Sequence, residues 1–196
     1  MGRSTVHYAD SETNNILKRL HNKLRPAGTP VQRVEYIIEL LLLRIFEVKL
    51  TQDPDFAQLR AAFRGENENL LFSSLLTLAN DKILPALNAS FFPFYATILN
   101  HARKVWQGNP STKVQDQLVL IEEVFSNSNF SNNVTSGNMA EIIGLVAELD
   151  KDRLLKINCN MVLFRRRGWP RNTGHKGIDA FFKLLLIWFH NMSSYL

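Results

Sequence analysis

Residues 33–50 read RVEYIIELLLLRIFEVKL, and no other stretch limits the fold so strongly. Up to Glu39 the run has a face, with Val34, Ile37, Ile38 and Leu41 expected inward and Gln32, Glu35 and Glu39 outward. From Leu40 to Phe46 nearly every direction around a helix is apolar. A helix that is greasy all round must be covered on all sides, so this segment is expected at the centre of a bundle. A membrane span needs roughly 20 mostly apolar residues. Here Arg44, Glu47 and Lys49 cut the run after Leu43. The rest of the chain therefore has to supply the cover.

The flanking sequence does so at helical spacing. Ile16, Leu17, Leu20 and Leu24 mark an amphipathic helix over 11–25. PAGTP, 26–30, breaks it, with Thr29 placed to cap the central helix and Pro30 at its first position. TQDPD, 51–55, is a turn with a fresh cap, and 56–64 reads as a short helix. RGENEN separates that from a helix over 69–83. NASFFPFYATILNHARKVW, 88–106, is expected to be helical beyond Pro93. Residues 112–126 carry the stripe Val114, Leu118, Ile121, Val124 and Phe125. A polar, turn-rich loop over 126–138 precedes a last helix over 139–149. No stretch alternates with period 2 and no repeat is present, so the first 150 residues are expected to be an all-α bundle of six to eight helices.

Charge divides the chain. Residues 1–150 hold 14 Lys/Arg and 16 Asp/Glu, a net −2; residues 151–196 hold 9 and 2, a net +7. The basic balance comes from the last quarter, so the whole is not a uniformly cationic nucleic-acid binder. The single cysteine, Cys159, excludes an internal disulfide framework and suits a reducing, cytoplasmic setting. The N-terminal MGRSTVHYADSETNN has no apolar core, and no signal peptide is expected. The N-x-S/T matches at Asn88, Asn129, Asn133 and Asn191 then read as coincidences.

Reaction chemistry is hard to find. Histidines 7, 21, 101, 175 and 190 show no metal-ligand spacing, and His21 and His101 read as structural residues on amphipathic helices. Glu122–Glu123 and Glu66 with Glu68 read as solvated charges rather than an acid–base pair. No nucleophile motif or phosphate-cradling glycine loop occurs. The cluster Phe91, Phe92, Phe94 and Tyr95 reads as a core layer, with a ligand pocket as the alternative. FRRRGWPRNTGHKG, 164–177, is different. Arg165, Arg166, Arg167, Trp169, Arg171 and Lys176 combine cations with a stacking ring, as contact with DNA would require. An incidental basic tail fits the same residues equally well.

Four stretches carry a family resemblance. NKLRPAGTPVQRVEYIIELLLLRIFEVKL, NDKILPALNASFFPFYATIL, STKVQDQLVLIEEVF and AEIIGLVAELD resemble the helical N-terminal domain of the methylation (M) subunit of type I restriction–modification systems, over about residues 10–155. The resemblance implies part of a bacterial, cytoplasmic DNA methyltransferase that moves methyl from S-adenosylmethionine to adenine N6. It implies a specificity subunit, a second M subunit and DNA as partners. It implies neither a metal nor a membrane. In the family, catalysis belongs to a later domain with a Gly-rich cofactor loop and an Asn-Pro-Pro-Phe/Tyr motif. Neither occurs here, so no catalytic or cofactor-binding residue carries over, and the chain alone is expected to be inactive.

After AELD the wording departs from the family and turns basic and aromatic. The expected division is 1–155, the helical domain, and 156–196, a divergent tail from truncation or frame-shift that ends in a helix over 178–190. A rival reading from another class is a free-standing helical module that grips nucleic acid through this tail.

Overall fold

Thr29 opens the central helix, on which the helices Ser11–Lys23, Phe72–Leu75 and Ser136–Ala147 and 3₁₀ turns pack. The computed structural model describes residues 11–149, Asn109 excepted. In it Thr29 and Gln32 form a reciprocal capping box. The Thr29 backbone N–H donates to Gln32 Oε1 at 2.8 Å, and Gln32 N–H donates to Thr29 Oγ1 at 3.4 Å. Helix α2 then runs Pro30–Gln52. Leu40, Leu42, Leu43 and Phe46 have no exposed surface, as an all-round apolar helix requires. At its far end Arg60 closes the last turn, its guanidinium donating to the Leu50 and Thr51 carbonyls at 2.5 and 2.6 Å. Those carbonyls have no partner within the helix itself.

Helix α1, Ser11–Lys23, and the residue that follows it bury Ile16, Leu20 and Leu24 in the core. After α2 come α3, Phe72–Leu75; α4, Asn80–Ala86; α5, Phe92–Tyr95; α6, Ile98–Val105; α7, Thr112–Phe125; and α8, Ser136–Ala147. Two of these eight α-helical segments are single turns, and no strand occurs among the described residues. The all-α architecture is therefore the observed one. Helix α8 packs on α1, α2 and α4, while α7 packs on α5 and α6. One continuous apolar core links them.

The structure corrects several local expectations. Glu39 is buried rather than outward, at 7% exposure, while Val34 is only half-buried. Glu39 shares its face with Tyr36 and Leu43, three residues before and four after, and both are buried. Residues 56–64 are not α-helical: 3₁₀ turns cover Pro54–Phe56, Gln58–Phe63 and Gly65–Leu70. Phe56, Leu59 and Ala62 lie three apart and all are buried, which suits a three-residue turn better than 3.6.

The helix expected over 69–83 is two pieces. The Thr77 hydroxyl donates to the Ser74 carbonyl at 2.8 Å, Ala79 is extended, and Leu76 is 51% exposed. Local hydroxyl bonds of this kind compete with helix continuation. Pro93 does not begin its helix either. The chain is helical from Asn80 to Tyr95, through Pro85 and a π-turn over Leu87–Phe91. The wide turn places the Phe92 N–H on the Leu87 carbonyl just before Pro93, which has no N–H to continue the ladder. Helix α8 starts three residues early because Thr135 caps it, its hydroxyl accepting from Asn138 N–H at 3.2 Å. The proposed tail over 156–196 and its helix over 178–190 lie outside the described residues.

Candidate functional site

All four side chains of the 91–95 aromatic cluster are buried, so the core-layer reading holds for them. The Tyr95 ring meets Phe46 edge-on at 5.5 Å and Phe125 at 5.3 Å. Its hydroxyl donates to the Leu70 carbonyl at 3.0 Å, and burial together with the Glu47 charge pushes the phenol well above its ordinary range. Phe92 stacks against Phe125 and Phe130.

Phe91 and Phe94 nevertheless have a second role. They form the apolar floor of an open cleft of about 570 Å³. Its rim takes Glu66 and Asn69 from the 3₁₀ turn and Ser90, Thr97 and His101 from the α4–α6 segment. His101 lies on Phe94 with ring centres 4.3 Å apart. Burial, then the Lys104 charge, lower its pKa, so the ring is neutral at pH 7. Much of the rim is already engaged: Thr97 Oγ1 donates to the Pro93 carbonyl at 3.1 Å, and Asn67 Nδ2 to the Ala62 carbonyl at 3.1 Å. Among the described residues no glycine lines the cleft. The arrangement is a recess with an aromatic floor and a polar rim.

The charged side chains serve the scaffold. Glu122, expected in solvent, accepts from the Leu99 N–H at 2.9 Å and so covers the start of α6. Glu47 is buried; it accepts from the Ser73 hydroxyl at 2.5 Å and pairs with Arg44 at 3.2 Å. Arg44 in turn lies over the Phe72 ring at 5.7 Å. Lys23 ties α1 to α8 through Glu141 at 2.5 Å. His21 lies 3.4 Å from the Arg33 guanidinium; burial, then the Arg33 and Arg25 charges, lower its pKa. Among the described residues no three His, Cys, Asp or Glu side chains come together as metal ligands. No helix of the described residues is long and apolar enough to cross a membrane.

The residues nominated for DNA contact, Arg165, Arg166, Arg167, Trp169, Arg171 and Lys176, lie outside the described residues. Two side chains that the pattern did not single out hold a long-range junction. Asn88 grips the Phe130 backbone with both ends of its amide: Nδ2 donates to the carbonyl at 3.0 Å, and Oδ1 accepts from the N–H at 2.8 Å. Glu39 lies against Ser128 in the same loop. The face shared by Tyr36, Glu39 and Leu43 was a readable signal for Glu39; nothing local marks Asn88. No protein-family model, curated protein or solved structure matches the chain.

Proposed function

We propose that residues 10–155 act as a helical DNA-clasping and subunit-contact domain of a type I restriction–modification adenine-N6 DNA methyltransferase, inactive when alone. The observation that supports this reading is where the resembling stretches fall. They overlap the end of α1 and α2 as far as Leu50, α4–α5 with the first residues of α6, the whole of α7, and α8 from Ala140 onward. These elements share one core, so the resemblance follows a folded unit rather than scattered fragments. The partners of this reading are a specificity subunit, a second M subunit and DNA. S-adenosylmethionine belongs to the catalytic domain of the full-length family.

Co-expression of the full chain with a type I specificity subunit, with and without a full-length M subunit, tests the proposal. Capture into a complex, with no methyl transfer by the chain alone, is the expected result. Methyl transfer to DNA by the purified chain, or failure to join either subunit, overturns it. The net +7 of residues 151–196 favours the second reading, a module that binds nucleic acid through its tail. That reading requires salt-sensitive DNA binding that disappears on deletion of 156–196.

A further inference from the structure

The connection between α7 and α8 is fastened to the middle of the molecule by a carboxyl group in an unusual state. Ser128 Oγ lies 2.7 Å from Glu39 Oε1 and 3.1 Å from the Val124 carbonyl oxygen. A hydroxyl has one proton and can donate to only one of these acceptors. If Glu39 is ionised, one contact lacks a proton. If Glu39 carries a proton, Oε1–H donates to Ser128 Oγ and the Ser128 proton goes to Val124, so both distances are explained. The other oxygen, Oε2, is buried with no hydrogen-bond partner. An unpartnered oxygen is costly when it bears half of a negative charge and far less so as the carbonyl of a neutral acid.

Among the described residues nothing around Glu39 balances an anion. The charge that acts on Glu39 among the described residues is Glu35, of the same sign, and the Tyr36 hydroxyl is a neighbouring titratable group on its own helix. The loop 126–135, SNSNFSNNVT, contains no ionisable residue. On α8, Glu141 is paired with Lys23 of α1; at the end of α7, Glu122 is turned to the Leu99 N–H. Burial, with Glu35 adding to it, raises the Glu39 pKa to about 8 against the lowering effect of Ser128.

We propose that Glu39 is a neutral carboxylic acid whose proton latches the α7–α8 connection onto α2, making this junction sensitive to alkaline pH. The latch works beside two other contacts: Tyr36 stacks on Phe130 with ring centres 4.2 Å apart, and Asn88 holds the Phe130 backbone. Loss of the proton leaves a charge in the core and weakens the grip on residues 126–134. The folded-state pKa is raised above the unfolded value of 4.5. The stabilising contribution is therefore complete below about pH 4.5, is lost as pH rises towards 8, and changes no further above that.

The full chain and its Glu39→Gln variant provide the test, since glutamine can donate to Ser128 but cannot ionise. The unfolding constant of the wild type, divided by that of E39Q, is expected to rise up to about tenfold per pH unit between pH 5 and 8 and then level off. Amide exchange of 126–134, compared between the two chains at equal pH, is expected to follow the same curve. A second measurement needs no folded variant: the infrared spectrum of the wild type at pH 6–7 should contain a protonated carboxylic carbonyl band that fades with a midpoint near pH 8. A constant ratio of unfolding constants overturns the proposal. So does the absence of that band, or its loss below pH 5.5.

Discussion

Replacing Asn88 tests the long-range junction most sharply, because the two substitutions Asn88→Ala and Asn88→Asp separate shape from proton inventory. The Phe130 backbone is met by one donor and one acceptor of the same amide, at 3.0 and 2.8 Å, and Phe130 itself is 1% exposed. Alanine removes both bonds and strands a shielded N–H and carbonyl. At about 1 kcal/mol net for each bond, with a further part of the desolvation cost of the stranded groups, the loss is about 3 kcal/mol. For a domain of this size that lowers Tm by roughly 9 °C. Aspartate has nearly the same shape and keeps the acceptor, but it turns an anionic oxygen towards the Phe130 carbonyl. At pH 7 it should cost at least as much as alanine. The contact with the carbonyl raises the folded-state pKa of the new carboxyl, so its penalty is present above that pKa and is relieved as pH falls through it. Denaturant unfolding of wild type, N88A and N88D at pH 7 and pH 4.5 provides the measurement. The gap between N88D and wild type should narrow at the lower pH, and the gap for N88A should not. An N88D chain as stable as wild type at pH 7, or a gap unchanged by pH, would refute the two-point grip.

Three other substitutions follow from particular contacts. Phe46→Ala empties a fully buried site ringed by Phe56, Phe63 and Tyr95, and thermal unfolding should register a loss of about 3–5 kcal/mol. Thr29→Ala removes the hydroxyl half of the capping box and should cost about 1 kcal/mol in denaturant unfolding, with protease sensitivity increasing first around 25–30. Arg60→Lys keeps the charge but loses the fork that reaches both Leu50 and Thr51, so a loss of about 0.5–1 kcal/mol is expected; a change within 0.2 kcal/mol would show that charge alone closes the helix.

Which of these features could be read beforehand depends on how local their causes are. The start of α2 was legible because Thr29 and Pro30 act within one turn of it. The stripe of α7 was legible because a single face does the packing. The 54–95 region misled because its causes compete. Apolar residues three apart support a 3₁₀ turn as well as a helix, and Pro85 is tolerated inside a helix while Pro93 is met by a π-turn. Asn88 was read only as part of a coincidental N-x-S/T match, yet its amide is occupied by a backbone 42 residues away. No window of sequence contains that information. The cleft has the same origin: its floor comes from 91–94 and part of its rim from 66–69, brought together by the Tyr95–Leu70 hydrogen bond.

Glu39 shows where pattern reading goes astray for a physical reason rather than for want of range. Its periodicity with Tyr36, Leu43 and Phe46 places it on a buried strip, but carboxylates are ordinarily assigned outward because burying the anion is costly. That rule concerns the charged form. A neutral acid beside a hydroxyl evades the cost, and the loop that supplies the hydroxyl carries no charge of its own. The absence of charge from 126–135 thus has a use beyond turn formation. A lysine or arginine there would pair with Glu39 as an anion and convert a protonated latch into an ordinary salt bridge, insensitive to pH between 6 and 9. Introducing Ser128→Lys should therefore flatten the pH dependence of stability if the added chain is accommodated. A slope that persists between pH 5 and 8 in that folded variant would place the titrating group somewhere other than Glu39.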